Sequence, residues 1–165
     1  MIPQSKVVVY AAIAGLLALM GGFVLFASFE NPELERATIE LQSVEVREVN
    51  NIDNQAELEV IFLVGNPSDL TFTIPLITYE LSVDGVVLGT GQYSTEDIAM
   101  PGRAAFYAGV EIPLKSKFVL NLTPDNGEIY RMITSGSGVD YEAKGMITVE
   151  TSWSLIEKEF SSSLR

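Results

Sequence analysis

The sequence predicts a mostly β domain: an immunoglobulin/fibronectin III-like two-sheet sandwich of about seven strands with one short helix, preceded by a single transmembrane helix. Three observations carry this. Val7 to Phe29 contains no charged residue. From Thr38 onward apolar residues recur at every second position in run after run. Pro, Gly and Asp-Gly breaks separate those runs.

The apolar stretch exceeds the roughly 20 residues that cross a hydrocarbon core as a helix. A cleaved signal peptide is the competing reading, but its apolar region is about 7–15 residues long and ends at a small-residue site. This run is longer, and Phe26-Ala27-Ser28-Phe29 is a poor site. A pilin-type leader, cut just before the apolar stretch, is a further alternative, although no small residue and processing signal stand clearly before Val7. Lys6 precedes the span and Glu30, Glu33 and Glu35 follow it, so the positive-inside bias puts the N-terminus in the cytoplasm and the rest outside the cell membrane. Residues 1–29 are then a cytoplasmic stub and anchor. Asn31-Pro32 is expected to stop the helix, 30–37 to form a tether, and 38–165 to form one sandwich domain. Ala14, Ala18 and Gly22 recur every fourth residue, with Ala11 and Gly15 beside them, a stripe along which another helix could approach closely.

Thr38 to Val49 reads as a first strand that changes phase, since Ile39 and Leu41 are odd-numbered and Val44 and Val46 even-numbered; a bulge near Gln42-Ser43 reconciles them. Leu58, Val60, Phe62 and Val64 alternate with Glu57 and Glu59 in the next run. Pro67 ends that ladder, having no N–H to donate, and restricts Asn66 to extended or turn geometry. Ile77, Tyr79, Leu81 and Val83 form another apolar face. Asp84-Gly85 then supplies the two positive-φ residues of a tight hairpin, which returns through Val87 and Leu88.

Arg103 to Ile112 alternates with Ala104, Phe106, Ala108, Val110 and Ile112 on one face, and Phe118, Leu120 and Leu122 resume after a Pro113 interruption. Thr123-Pro124 is a helix-start signal, followed by a stripe of Ile129, Met132 and Ile133 that ends at Gly136-Ser137-Gly138. Tyr141, Ala143, Gly145, Ile147 and Val149 make a further strand, and Leu155 to Phe160 a last one. Trp153, between them, is either a core plug or an exposed contact.

The order of apolar strand, Asn66-Pro67, strand, Asp84-Gly85 turn and a short strand closing on Gly89 and Gly91 resembles the late-embryogenesis-abundant family of LEA14 type, also called the water-stress and hypersensitive-response (WHy) domain. Ala99-Met100-Pro101-Gly102, then Val110 to Leu114, and Tyr141 to Val149 look like that family's later turn and strands. The family's second asparagine after the proline is replaced here by Ser68. The resemblance covers about residues 38 to 160. It implies a non-catalytic domain that protects envelope components in water or osmotic stress.

Chemistry is sparse. The chain has no histidine and no cysteine, which removes His- and Cys-based nucleophile systems, thiolate or His-ligated metal sites and disulfides. Asp53, Asp97 and Asp125 are scattered and form no calcium loop. Lys144 reads as a solvated strand charge, and the spaced glycines from Gly85 to Gly91 follow a hairpin rather than open a helix, so they make no phosphate loop. No cofactor, metal or small-molecule substrate is expected, and the chain is not read as an enzyme. All 22 acidic residues follow the apolar stretch in a chain of net charge −12, which disfavours nucleic acid. Asn121-Leu122-Thr123 is a candidate glycosylation sequon. The expected partners are the lipid bilayer and, on the alternative reading of an accessory subunit held by its helix, other membrane or envelope proteins.

Overall fold

The computed structural model describes residues 4–95 and 104–164. Its elements are α1 (Gln4–Leu34), β1 (Thr38–Asn50), β2 (Gln55–Gly65), β3 (Phe72–Val83), β4 (Val86–Ser94), β5 (Ala105–Phe106), β6 (Glu111–Asn121), α2 (Gly127–Thr134), β7 (Tyr141–Glu150) and β8 (Leu155–Leu164). The strands form two antiparallel sheets, one ordered β1-β2-β6 and the other β4-β3-β7-β8, with β5 also paired to β3. This is a two-sheet sandwich, with eight strands among the described residues against the seven or so expected.

The alternation seen in the sequence becomes the core. Ala56, Leu58, Val60, Phe62 and Val64 of β2 face Ile77, Tyr79, Leu81 and Val83 of β3 and Ala143, Ile147 and Val149 of β7, all buried. Phe62 packs edge-on against Tyr79 and Phe160, at 4.9 and 5.7 Å between ring centroids. The side openings of the sandwich are bridged by serines. The Leu41 N–H donates to Ser162 Oγ between β1 and β8, and Ser116 Oγ donates to the Gln92 carbonyl between β6 and β4.

The phase change in β1 is a bulge at Gln42, between the pairs Leu41↔Phe62 and Ser43↔Ile61. A second irregularity at Arg47 returns the phase to the odd-numbered Val49, which packs against the core. β3 also changes phase around Pro75, which brings Phe72 and Ile74 inward before Ile77.

Four expectations change. The helix does not stop at Asn31-Pro32: Pro32 lies inside α1, the Glu35 N–H donates to the Asn31 carbonyl, and Leu34 and Ala37 are fully buried in the sandwich core. Burial of Leu34 holds the last turn despite the bond that proline cannot make, so what reads as a tether is docked. The run from Arg103 to Ile112 is not one strand. A turn at Tyr107–Val110, with Gly109 at φ +75°, separates β5 from β6. Pro113 does not interrupt β6, which is an edge strand of its sheet, where a residue without an N–H is tolerated. Finally, α2 starts at Gly127 rather than at Thr123-Pro124, and its buried face is Tyr130 and Ile133. It ends as the glycine predicts: Gly136 takes φ +72°, and the Gly136 and Ser137 N–H groups close on the Ile133 and Met132 carbonyls.

Candidate functional sites

Asn66 is the most connected polar side chain of the loop that follows β2. It is 2% exposed, and its side chain uses both ends. Nδ2 donates to the carbonyls of Leu70 and Phe106 at 2.6 and 2.7 Å, while Oδ1 accepts from the Ser68 N–H at 3.0 Å and the Ser68 hydroxyl at 2.7 Å. Its backbone donates to the Val110 carbonyl and accepts from the Gly109 N–H. One amide thereby joins the Asn66–Leu70 turn to the strand-end some forty residues later, satisfying the buried Phe106 carbonyl and sharing the part-buried Leu70 carbonyl with Ser68 Oγ. Ser68 is no passive substitution, since it is buried and completes this network. Pro67 is exposed and starts the turn. The Ala99–Gly102 turn and Asp97 lie outside the described residues.

Asp84 and Gly85 sit at φ +50° and +82° between the paired residues Val83 and Val86, the two-residue hairpin that the sequence predicts. Gly91 has a different reason. It pairs with Tyr79 from β4, as Gly145 does from β7, so Tyr79 lies between two glycines on neighbouring strands. A Cβ at Gly91 would stand 2.5 Å from Tyr79 Cζ. One at Gly145 would overlap the Thr78 carbonyl oxygen and lie 2.7 Å from Tyr79 Cα. On the opposite, outer face of the sheet the same backbone positions lie under an open trough flanked by Thr78, Glu80, Thr90, Gln92 and Met146.

The Tyr79 hydroxyl lies 2.9 Å from Ser116 Oγ, whose own proton goes to the Gln92 carbonyl, so the phenol is the donor. Burial pushes its pKa up to about 12, against the smaller opposing effect of Ser116. The unfolded chain releases this proton near pH 10, before the folded chain does, so stability is full below pH 10 and falls as pH rises toward 12. The expected loss is about 2–3 kcal/mol across that window. Tyr93 and Tyr141, also raised by burial, act in the same direction. Urea midpoints measured between these pH values should decline, and Tyr79→Phe should remove the largest part of the decline.

Ion pairs line the outer face of the three-stranded sheet. Glu59 accepts from Arg47 and Lys115, and Lys117 meets Glu57 at 2.5 Å. The Arg47 hydrogen bond holds the Glu59 carboxyl below its usual range. Lys144 pairs with Glu142 at 2.8 Å, as a strand-surface charge would. Among the described residues no group of His, Cys, Asp or Glu is placed to hold a metal ion. Ser161 Oγ donates to the same Glu142 carboxylate at 3.4 Å, and these exposed pairs dress the surface of the sheets.

The long helix is exposed from Lys6 to Leu25, with a mean hydropathy of 2.3, long and apolar enough to cross a bilayer. Ala14, Ala18 and Gly22 lie on it, and a Cβ at Gly15 or Gly22 would meet nothing within 4 Å. The β7–β8 turn runs back along this helix. Lys158 Nζ donates to the Glu35 and Ala37 carbonyls at 2.7 and 2.8 Å, Ser154 Oγ donates to Asn31 Oδ1, and Trp153 stacks on Phe23 with 6.2 Å between centroids. Trp153 is thus an exposed contact and not a core plug. Asn121, the last residue of β6, is exposed at the opposite end of the domain, where its carbonyl accepts from Asn126 Nδ2.

Sequence reasoning missed Leu34, Ala37 and the purpose of Gly145. The last carried a signal, because a glycine inside an alternating strand marks close backbone approach. No protein-family model matches the chain, and no curated protein matches it in sequence. Among solved structures it is similar to a protein from Archaeoglobus fulgidus, at 17% identity and a TM-score of 0.45 over 76% of this chain and 94% of that one. A protein from Arabidopsis thaliana is similar at 16% identity and a TM-score of 0.49 over 77% and 83%. Another, described as a candidate late embryogenesis abundant protein, is similar at 14% and 0.41 over 98% and 90%. At these values no function is carried across.

Proposed function

We propose that the chain is a membrane-anchored, non-catalytic domain of LEA14/WHy type, held outside the cell membrane, that protects envelope components when water or osmotic stress lowers water activity. The observation that carries the reading is the continuity of α1, one helix from the exposed apolar stretch Lys6–Leu25 to Leu34, which is buried in the core of the sandwich. A helix of that length and hydropathy is at home in lipid, and its last turn belongs to the folded domain. The ordered set Asn66-Pro67, Asp84-Gly85 and Gly91 supports the family. Zero cysteine and a core closed by packing and hydrogen bonds suit a domain that survives outside the cell without disulfides. Asn121, exposed at the far end, is open to glycosylation in that location.

A second reading is favoured by the Ala14, Ala18 and Gly22 stripe, which nothing in the described chain covers. In it the protein is an accessory subunit that binds a partner helix there. One paired experiment separates the two. The full chain and its Gly22→Leu variant are purified natively in mild detergent, then reconstituted into vesicles and dried with a labile enzyme. Protection by both forms, with no co-purifying protein, supports the stress reading. Partners lost on Gly22→Leu, with no protection by either form, would replace it with the subunit reading.

A further inference from the structure

We propose that the tip of the β7–β8 turn is a second membrane contact, with Trp153 seated in the lipid at the boundary of headgroups and acyl chains beside the outer end of α1. The proposal rests on the membrane-spanning reading of α1 and adds to it a lipid-binding surface on the β domain itself.

The argument is geometric. Phe23 lies inside the uncharged stretch, seven residues before Glu30, the first charge beyond it. At the helical rise of 1.5 Å per residue that is about 10 Å along the helix axis. If Glu30 stands in water at the headgroup surface, Phe23 is below that surface, and a ring stacked on Phe23 is below it too. Trp153 is that ring, and it is 64% exposed, so the face turned away from Phe23 meets whatever surrounds the helix at this depth. Tryptophan is the side chain most at home there, because its ring is apolar and its indole N–H reaches the wet headgroup layer.

The turn is also built to leave water. Thr151, Ser152, Trp153 and Ser154 carry no charge. The Thr151 N–H donates to the Ser154 carbonyl, and Thr151 Oγ1 accepts from the Trp153 and Ser154 N–H groups at 3.3 and 3.1 Å, so three backbone donors are satisfied within the turn. Each donor paired within the turn lowers the cost of leaving water, and the Ser152 N–H is the one of the four left to the wet headgroup layer. Leu155, 57% exposed at the start of β8, extends the apolar surface, and Tyr107 is exposed at the same end of the sheet, after β5. The Lys158 clamp on Glu35 and Ala37 and the Ser154 bond to Asn31 fix this end of the domain against the helix. The sandwich therefore stands on the membrane with its β7–β8 end down, while the β1–β2 turn and Asn121 point away.

Trp153 is the chain's one tryptophan, so its fluorescence reports this site without any substitution. The full chain is reconstituted into phosphatidylcholine vesicles, some carrying a lipid brominated near the top of its acyl chain, with iodide admitted to both sides. The expected result is a blue-shifted emission, strong quenching by the brominated lipid and loss of most iodide quenching relative to a free tryptophan amide in buffer. Phe23→Ala should keep the lipid quenching, since lipid and not the stacked ring then surrounds the indole. Resistance to alkaline extraction is measured on the same vesicles. An inserted chain whose Trp153 is quenched fully by iodide and not by lipid would overturn this inference alone. A chain released by alkali would overturn the membrane-spanning reading together with it.

Discussion

Gly145→Ala should destabilise the domain by at least about 3 kcal/mol, the size expected when an added atom meets backbone that cannot give way. The new Cβ would fall on the Thr78 carbonyl and against Tyr79 Cα, and both belong to β3, the central strand that pairs with β7 along most of its length. A flexible side chain could swing aside. A strand hydrogen-bonded on both edges cannot, so relief requires the two strands to separate. Gly138→Ala is the matched control, because a Cβ there meets nothing within 4 Å and the backbone is not left-handed. Urea midpoints followed by circular dichroism should fall sharply for the first variant and stay near wild type for the second. Gly91→Ala should lie between them, since its clash is with the Tyr79 ring and not with backbone.

Asn66→Ala should cost about 2–5 kcal/mol, because it strips the donor from the buried Phe106 carbonyl and the acceptor from the buried Ser68 N–H, each of which carries a penalty of about 1–3 kcal/mol when unpaired. The part-buried Leu70 carbonyl keeps Ser68 Oγ at 3.5 Å. Both Nδ2 bonds are short, and the Phe106 one lies between the two segments that the loop must hold together. Asn66→Asp should be no better, since a carboxylate would present a lone pair where each carbonyl needs an N–H. Ser68→Ala should cost only about 1 kcal/mol, as Asn66 Oδ1 keeps the Ser68 N–H when the hydroxyl is gone. Equal midpoints for Asn66→Ala and Ser68→Ala would show that the amide does not join these segments.

How much of this was legible in the sequence follows from the range of each interaction. Alternation is local, so β2, β3 and β7 could be read from Leu58 to Val64, Ile77 to Val83 and Tyr141 to Val149, and the phase change around Gln42 announced its own bulge. The Asp84-Gly85 hairpin was legible for the same reason. Pro113 misled because a proline breaks a strand only where its N–H is needed, and nothing in the sequence says that β6 is an edge. Thr123-Pro124 misled because Asn126, whose side chain is spent on Thr123 and Asn121, starts α2 a turn later. The partners of Asn66 lie across the fold, and so does the carbonyl that forbids a side chain at Gly145. The motif was visible in the sequence, but its chemistry was not. Trp153 stayed ambiguous because its neighbour, Phe23, belongs to a segment whose surroundings only the docked helix defines.

The central claim, that α1 crosses the membrane and delivers the sandwich to the outside, is tested most directly by labelling. The chain has no cysteine, so single replacements report without background. Ile52, 91% exposed in the β1–β2 turn, and Gln4, at the start of α1, are the two positions. In intact cells a membrane-impermeant maleimide should label Ile52→Cys at once and Gln4→Cys only after the cells are opened. Labelling of both from the same side, or a mature chain that begins after residue 20, would contradict the account.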